Sequence, residues 1–305
     1  MNAIKATASG QRQRRPSSDG LAGYALAGPG MALMAALVLV PALGVVVIAF
    51  TDWQIGAPSL GFVGLDNFLS LANDRVFLTS FTNTMLYMLV VVPVTLVLSL
   101  VIALSIEASG PLRGLYRTIL FLPVMAMFSA MAIAWEAMLH PTIGLINLTL
   151  AGFGLPQPNW LRDPALVLPT LMVIGVWQHL GYAVVLFIAA LKSVPRDLYE
   201  AAALDGADSP LDRLFTVTLP MLGPASMFII IVMSLRALQT FDVVAILTKG
   251  GPNYASEVLL HTLYVESFQF FRTGYGAAMT VVFLILVIGL TLLQARVLDR
   301  RVHYT

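Results

Sequence analysis

Arg236, Gln239, Thr240 and Asp242 stand inside one long apolar run of this chain, residues 221–247, and Gly175, Trp177, Gln178, His179 and Tyr182 stand inside another, residues 165–191. Steps of three residues turn a helix by about 300°, so 236, 239 and 242 fan over roughly 120° and make one polar face. Gly175, His179 and Tyr182, at i, i+4 and i+7, share a face of their own. Charged groups in a lipid-embedded helix cost several kcal/mol unless they meet a partner or a watery path, which makes them site residues by default. A ring plus a hydroxyl suits stacking on, and hydrogen bonding to, a polyol. The competing reading is structural: an internal ion pair of Arg236 with Glu136 or Asp242, and a His179 that merely packs.

Groups for covalent chemistry are missing. No G-x-x-x-x-G-K-[S/T] occurs, and Lys192 and Lys249, the lysines beyond residue 100, do not follow a glycine. The four histidines, 140, 179, 261 and 303, are scattered without an H-E-x-x-H, and there is no cysteine, so neither a zinc site nor a disulfide framework is expected. No serine stands in a G-x-S setting beside a His or Lys of a facing helix. The expectation is a chain with no catalytic and no metal-ligating residues, and no enzyme.

The elements that must hold these polar groups are membrane helices. Hydrophobic content of 58% against 11% charged residues, with a mean hydropathy of +0.86, places the chain in lipid as one polytopic domain. A net charge of +1 without a long basic run gives no reason to expect nucleic acid. Residues 1–20 are polar and predict a disordered tail. The run 21–50 is about twice the apolar core of a secretory signal and reads as a span with Pro41 inside. Further spans are predicted over 84–106 (containing Pro93), 118–139 (containing Pro123), 165–191, 221–247 and 274–293, six in all, with a short helix over 143–150 and an amphipathic re-entrant or surface helix over 255–271. Residues 299–305 form a second tail. In this layout the tails and the loops on their side carry twelve Lys and Arg, against four on the other side, which puts both termini in the cytoplasm.

Residues 192–224 interrupt the pattern with eight charged side chains between two apolar runs. Ser193 is a capping residue, Pro195 suits a first helical turn, Asp197 and Glu200 favour a helix start, and Asp205-Gly206 is a stop. Ser209-Pro210 repeats the start signal for a second short helix ending near Pro220. Helices of roughly ten residues are marginal alone in water, so both need a surface to dock on.

Glu200-Ala201-Ala202, Asp205-Gly206-Ala207 and Leu219-Pro220 resemble the "EAA" cytoplasmic loop of bacterial ABC importer permeases, with one residue more between Gly206 and Pro220 than in that pattern. Phe62-Val63-Gly64-Leu65-Asp66-Asn67-Phe68 resembles the "GLxNF" segment, and Thr240-Phe241-Asp242 with Leu247-Thr248-Lys249-Gly250-Gly251-Pro252 the "FD…LT.GGP" segment, of the carbohydrate-uptake type (MalF/UgpA-like). The resemblance implies an all-α fold of the type I importer permeases, with six transmembrane helices and cytoplasmic coupling helices. It implies ATPase coupling through Glu200, Ala201, Ala202, Asp205, Gly206 and Pro220, and a substrate path lined by Gly175, Trp177, His179, Tyr182 and Gln239, to which the cost of charges within a span adds Arg236 and Asp242. It also implies a bacterial inner-membrane location, a second permease subunit, two copies of an ATPase subunit that carries the ATP and Mg, an external solute-binding protein, and a sugar or related polyol as solute. Glycerol phosphate or its diesters are the alternative cargo. An ion-coupled carrier working through Asp242, Arg236 and His179 is the rival from another class, and the two halves of the chain show no convincing repeat to support it.

Overall fold

The computed structural model describes residues Ser18–Asp299, so the tail expectations for 1–17 and 300–305 lie outside the described residues. The described residues divide into two compact units, one up to residue 47 and one from residue 48. Helix α1 (residues 18–48) is already helical at Ser18, ahead of the expected span start at residue 21. A π turn at Ala35–Leu39 sits directly before Pro41, where the proline's missing N–H and its ring disturb the preceding turn.

The second unit is built of helices joined by loops, and among the described residues its β pairing is limited to one antiparallel bridge between Thr51 and Phe62. After α1 comes α2 (Asp66–Asn73), where the G-L-D-N-F residues act. Asn67 Nδ2 donates to the carbonyls of Ala49 and Thr51, both at 2.9 Å, while Phe68 packs on Phe50 with ring centroids 5.3 Å apart. The motif thus fastens the turn that follows the first span.

The second span is longer than the apolar run suggests. Helix α3 (Arg75–Ala108) has 34 residues, about 51 Å at the α-helical rise, well beyond a hydrocarbon core of about 30 Å. Asp74 starts it by accepting from Val76 N at 2.8 Å, and its first turns carry Ser80, Asn83 and Thr84, buried against later loops. Apolar content alone hid that extension.

The third span is not one rod. Helices α4 (Arg113–Met125) and α5 (Phe128–Met138) meet at a 100° bend through extended Ala126 and Met127, correcting the single helix expected over 118–139. Pro123 cannot donate to the carbonyl one turn back, which weakens the last turn of α4. Among the described residues five helices are long and apolar enough to span, six if the bent pair counts as one span.

Helix α6 (Leu145–Gly152) precedes α7 (Val167–Lys192), the fourth span. The core forms where α3 and α7 cross, around Tyr87, Val91, Leu171, Ile174 and Phe187. Two glycines permit the close approach. A Cβ at Gly175 would collide with the Tyr87 hydroxyl, and one at Gly181 with the backbone carbonyl of Leu120 in α4. Small residues at helix crossings are how apolar helices associate in lipid, where burial of apolar surface gives no drive.

Helices α8 (Arg196–Leu204) and α9 (residues 210–221) form the polar loop, followed by α10 (Gly223–Leu238) and α11 (Asp242–Leu247). The fifth span is therefore broken at residues 239–241, against the continuous helix expected. Helix α12 (residues 259–269) is shorter than the expected 255–271, and its polar residues His261 and Glu266 point into the protein instead of lying on a surface. Helix α13 (Thr273–Asp299) is the last span, tied to α10 by a hydrogen bond from Gln294 to Ser234 at 2.9 Å.

Candidate functional site: a docking loop and two polar cavities

The 193–222 loop is built by turn chemistry that its sequence names residue by residue. Helix α7 runs on to Lys192, so Ser193 closes that helix, its hydroxyl donating to Ala190 O at 2.7 Å, and does not cap the next one. Pro195, in extended conformation, precedes Arg196 as the cap residue of α8 instead of standing in its first turn. At the other end Gly206 has φ +91°, its N–H reaches Ala203 O, and the Ala207 N–H reaches Ala202 O at 2.9 Å. This pair of bonds around a left-handed residue is the Schellman stop, for which glycine is the natural choice. Asp205-Gly206-Ala207 is thus an elbow.

Ser209 then caps α9 in a reciprocal box. Its hydroxyl accepts from Asp212 N at 3.1 Å, and its own N–H donates to the Asp212 carboxylate. Arg213 Nε donates to Ala207 O at 3.0 Å, and the hydroxyls of Tyr199 and Thr218 meet at 3.1 Å, so the two helices brace each other. A π turn at Leu214–Thr218 lies within α9. A π turn holds one residue more than an α turn, which is where the residue in excess between Gly206 and Pro220 fits. The helix passes Pro220 and continues to Met221, one turn residue short of α10, so it does not end where expected.

Ala202 is buried against the core, whereas Glu200, Ala201, Asp205, Gly206 and Pro220 are exposed. Leu204 is 91% exposed, Phe215 66% and Leu211 65%, large apolar side chains on a loop otherwise rich in charge. Between the helices lies a shallow groove of about 400 Å³ lined by Leu198, Ala201, Ala202, Val217 and Pro220.

The polar residues of the fourth and fifth spans partly converge. His179, Arg236, Gln239 and Asp242 line a cavity of about 190 Å³ together with Tyr87, Gln178, Thr240 and Phe241. The Arg236 guanidinium lies over the Tyr182 ring, 4.6 Å from its centroid. Neither of its expected partners is engaged: among the described residues no ion pair joins Arg236 to Glu136 or Asp242. The single helical face expected for 236, 239 and 242 does not exist, because Gln239 ends α10 and Asp242 begins α11. Gly175 and Trp177 do not line this cavity. Gly175 is the notch for Tyr87, and the Trp177 ring meets Trp135 edge-on with centroids 5.3 Å apart. Thr240 joins them as a polar residue of the same span, whereas Tyr87 is the residue that sequence reasoning misses, because a lone tyrosine in an apolar run gives no spacing signal.

A larger cavity, about 980 Å³, opens at the ends of the spans away from the 193–222 loop. Its walls come from the start of α3, the G-G-P turn and α12. Asn83 Nδ2 holds that turn by donating to the carbonyls of Tyr254, Ala255 and Glu257, and Thr84 accepts from Leu259 N at 2.9 Å. At Gly250, φ +80°, the backbone presses so closely on the Glu257 carboxylate that any side chain would clash. Glu257 in turn meets His261 Nδ1 at 2.6 Å and accepts from Thr262 Oγ1 at 2.9 Å.

A helical membrane bundle with an exposed elbow at one end and polar cavities among its spans has the makings of a permease. Residues 108–304 match the model of the family described as "Binding-protein-dependent transport system inner membrane component". The sn-glycerol-3-phosphate transport system permease protein UgpA of Yersinia enterocolitica is 37% identical over 248 residues, covering 80% of this chain and 82% of the relative. A probable ABC transporter permease of Bacillus subtilis, YurN, is 33% identical over 264 residues, with 85% and 90% covered. The fold matches a chain in the crystal structure of a bacterial ABC transporter involved in the import of the acidic polysaccharide alginate, with a TM-score of 0.80 at 22% identity, covering 92% of this chain and 96% of that one. This chain belongs to the binding-protein-dependent inner membrane component family. It is an ABC importer permease, and a multi-pass membrane protein.

Proposed function

We propose that this chain is one of two permease subunits of an ATP-driven importer for a sugar or related polyol, in the bacterial inner membrane with both termini cytoplasmic. The observation that carries the reading is the elbow at Gly206. It presents Leu204, Leu211 and Phe215 to water beside the Glu200 carboxylate, an apolar surface that is costly unless a partner covers it. The partner is an ATPase subunit, present in two copies and holding the ATP and Mg, since no phosphate-binding motif stands in this chain. A solute-loaded binding protein docks at the opposite end. Closure of the ATPase pair moves α8 and α9 as one braced body, and through α10 the motion reaches the cavity around His179 and Arg236. Gln239 and Asp242 offer hydrogen bonds to a hydroxylated solute there, and Arg236, held over Tyr182, tolerates an anionic one.

Relatives named for sn-glycerol 3-phosphate make a phosphorylated polyol the second reading, and Arg236 is the residue that favours it. The test uses the assembled transporter in proteoliposomes. Glu200→Lys and Gly206→Pro should each leave the complex in the membrane and uncouple ATP hydrolysis from uptake. Normal uptake by both variants would remove the elbow from the mechanism. Thermal-shift screening of the binding protein then separates sugars from phosphorylated polyols.

A further inference from the structure

Resting on the importer reading above, we propose that the larger cavity is itself a binding site, a station that holds an uncharged saccharide before the solute reaches the smaller cavity. Its volume of about 980 Å³ lies at the upper end of small-molecule sites. Four rings, Phe241, Tyr254, Tyr264 and Phe270, stand in its wall. Phe241 also lines the smaller cavity, so a solute leaving one site meets the other with a single ring between them. Such rings give flat apolar surface to the C–H faces of a sugar, and tyrosine adds a hydroxyl.

The charges of the wall set the class of ligand. Glu257 is paired with His261, Glu266 with Arg272, and Asp74 accepts from the Tyr275 hydroxyl at 2.6 Å. Carboxylates so engaged keep lone pairs for further donors, which is what sugar hydroxyls are. Three carboxylates, Asp74, Glu257 and Glu266, face only two permanent cations, Lys249 and Arg272. A phosphate dianion therefore gains nothing by entering, whereas a neutral polyol does. Glu257, His261 and Glu266 are each buried to within 6% of full burial, so these groups are fixed in the wall and not loose on a surface.

The experiment uses the complete transporter in nanodiscs, without nucleotide or binding protein. Saturation-transfer difference NMR is recorded with glucose, maltose, sucrose and trehalose, and separately with sn-glycerol 3-phosphate. At least one neutral sugar should give a signal that glycerol phosphate does not match. Tyr254→Ala and Phe270→Ala should each weaken that sugar's binding about fivefold, the effect of one lost aromatic contact. Both side chains are more than half exposed, so the variants should melt with the parent. Silence from all four sugars, an equal response to glycerol phosphate, or a signal untouched by both variants would overturn the proposal. The importer reading fails separately, if a solute-loaded binding protein does not stimulate ATP hydrolysis by the unmodified complex.

Discussion

A methyl group at position 175 would occupy the space taken by the Tyr87 hydroxyl, so the smallest possible substitution there tests how the cavity wall is set. Gly175→Ala should push Tyr87 away from Thr240 and cost about 1–3 kcal/mol of stability, the usual range for overpacking. Tyr87→Phe in the same chain should recover part of it. A double-mutant cycle of denaturation midpoints in detergent reads the coupling, and simple additivity would show that the notch does not fix the tyrosine. Glu266 supplies a second test at this scale. Burial raises its pKa and the Arg272 guanidinium opposes that only in part, so the folded chain holds this proton more tightly than the unfolded one. The contribution is a stability present below the ordinary value of 4.5 and lost as pH rises through the folded pKa. In melting curves across that window the parent should fall relative to Glu266→Gln as pH rises; a constant difference would contradict the assignment.

The two helices of the elbow show what an element adds to its residues. The Schellman stop at Gly206 and the capping box at Ser209 fix a sharp turn, and the π turn at Leu214–Thr218 takes up one residue before α10 begins. Deleting exposed Thr216 should convert that turn to an α turn and leave the register of the fifth span intact, with uptake largely kept. Deleting Asp208, between stop and cap, should abolish coupling. Equal loss in both would put the excess residue elsewhere. This loop was legible in the sequence because capping, stop and start signals are local: Gly206, Ser209 and Pro210 act on neighbours within about five positions. The cap falls two residues beyond Ser193, and Pro195 stands one residue ahead of the first turn, because the end of α7 depends on packing, which no local signal carries. The breaks at Ala126 and Gln239 were hidden for the same reason. Hydropathy runs straight through both, and Pro123 marks a weakened turn without saying how far the chain will swing. Of the residues singled out within the spans, His179, Arg236, Gln239 and Asp242 line one cavity, yet across a break and with Tyr87 from a much earlier helix.

At the scale of the molecule, every step proposed here depends on which end of the spans faces the cytoplasm, and the chain is well suited to deciding that. It contains no cysteine, so single replacements report their own surroundings. Leu204 at the elbow is 91% exposed, and Phe153, in the turn after α6 at the opposite end, is 79% exposed. Neither side chain packs on the core, so Leu204→Cys and Phe153→Cys should both fold and assemble. With Lys and Arg crowded on the elbow's side, a membrane-impermeant maleimide should label Phe153→Cys in spheroplasts and spare Leu204→Cys, and inverted vesicles should reverse the pattern. Adding the ATPase subunits to those vesicles should then protect Leu204→Cys, because the surface that docks the motor is the surface being probed. Labelling of Leu204→Cys from outside would place the elbow away from ATP and end the coupling scheme. Correct sidedness without protection would keep the topology and move the motor's grip to another part of the loop.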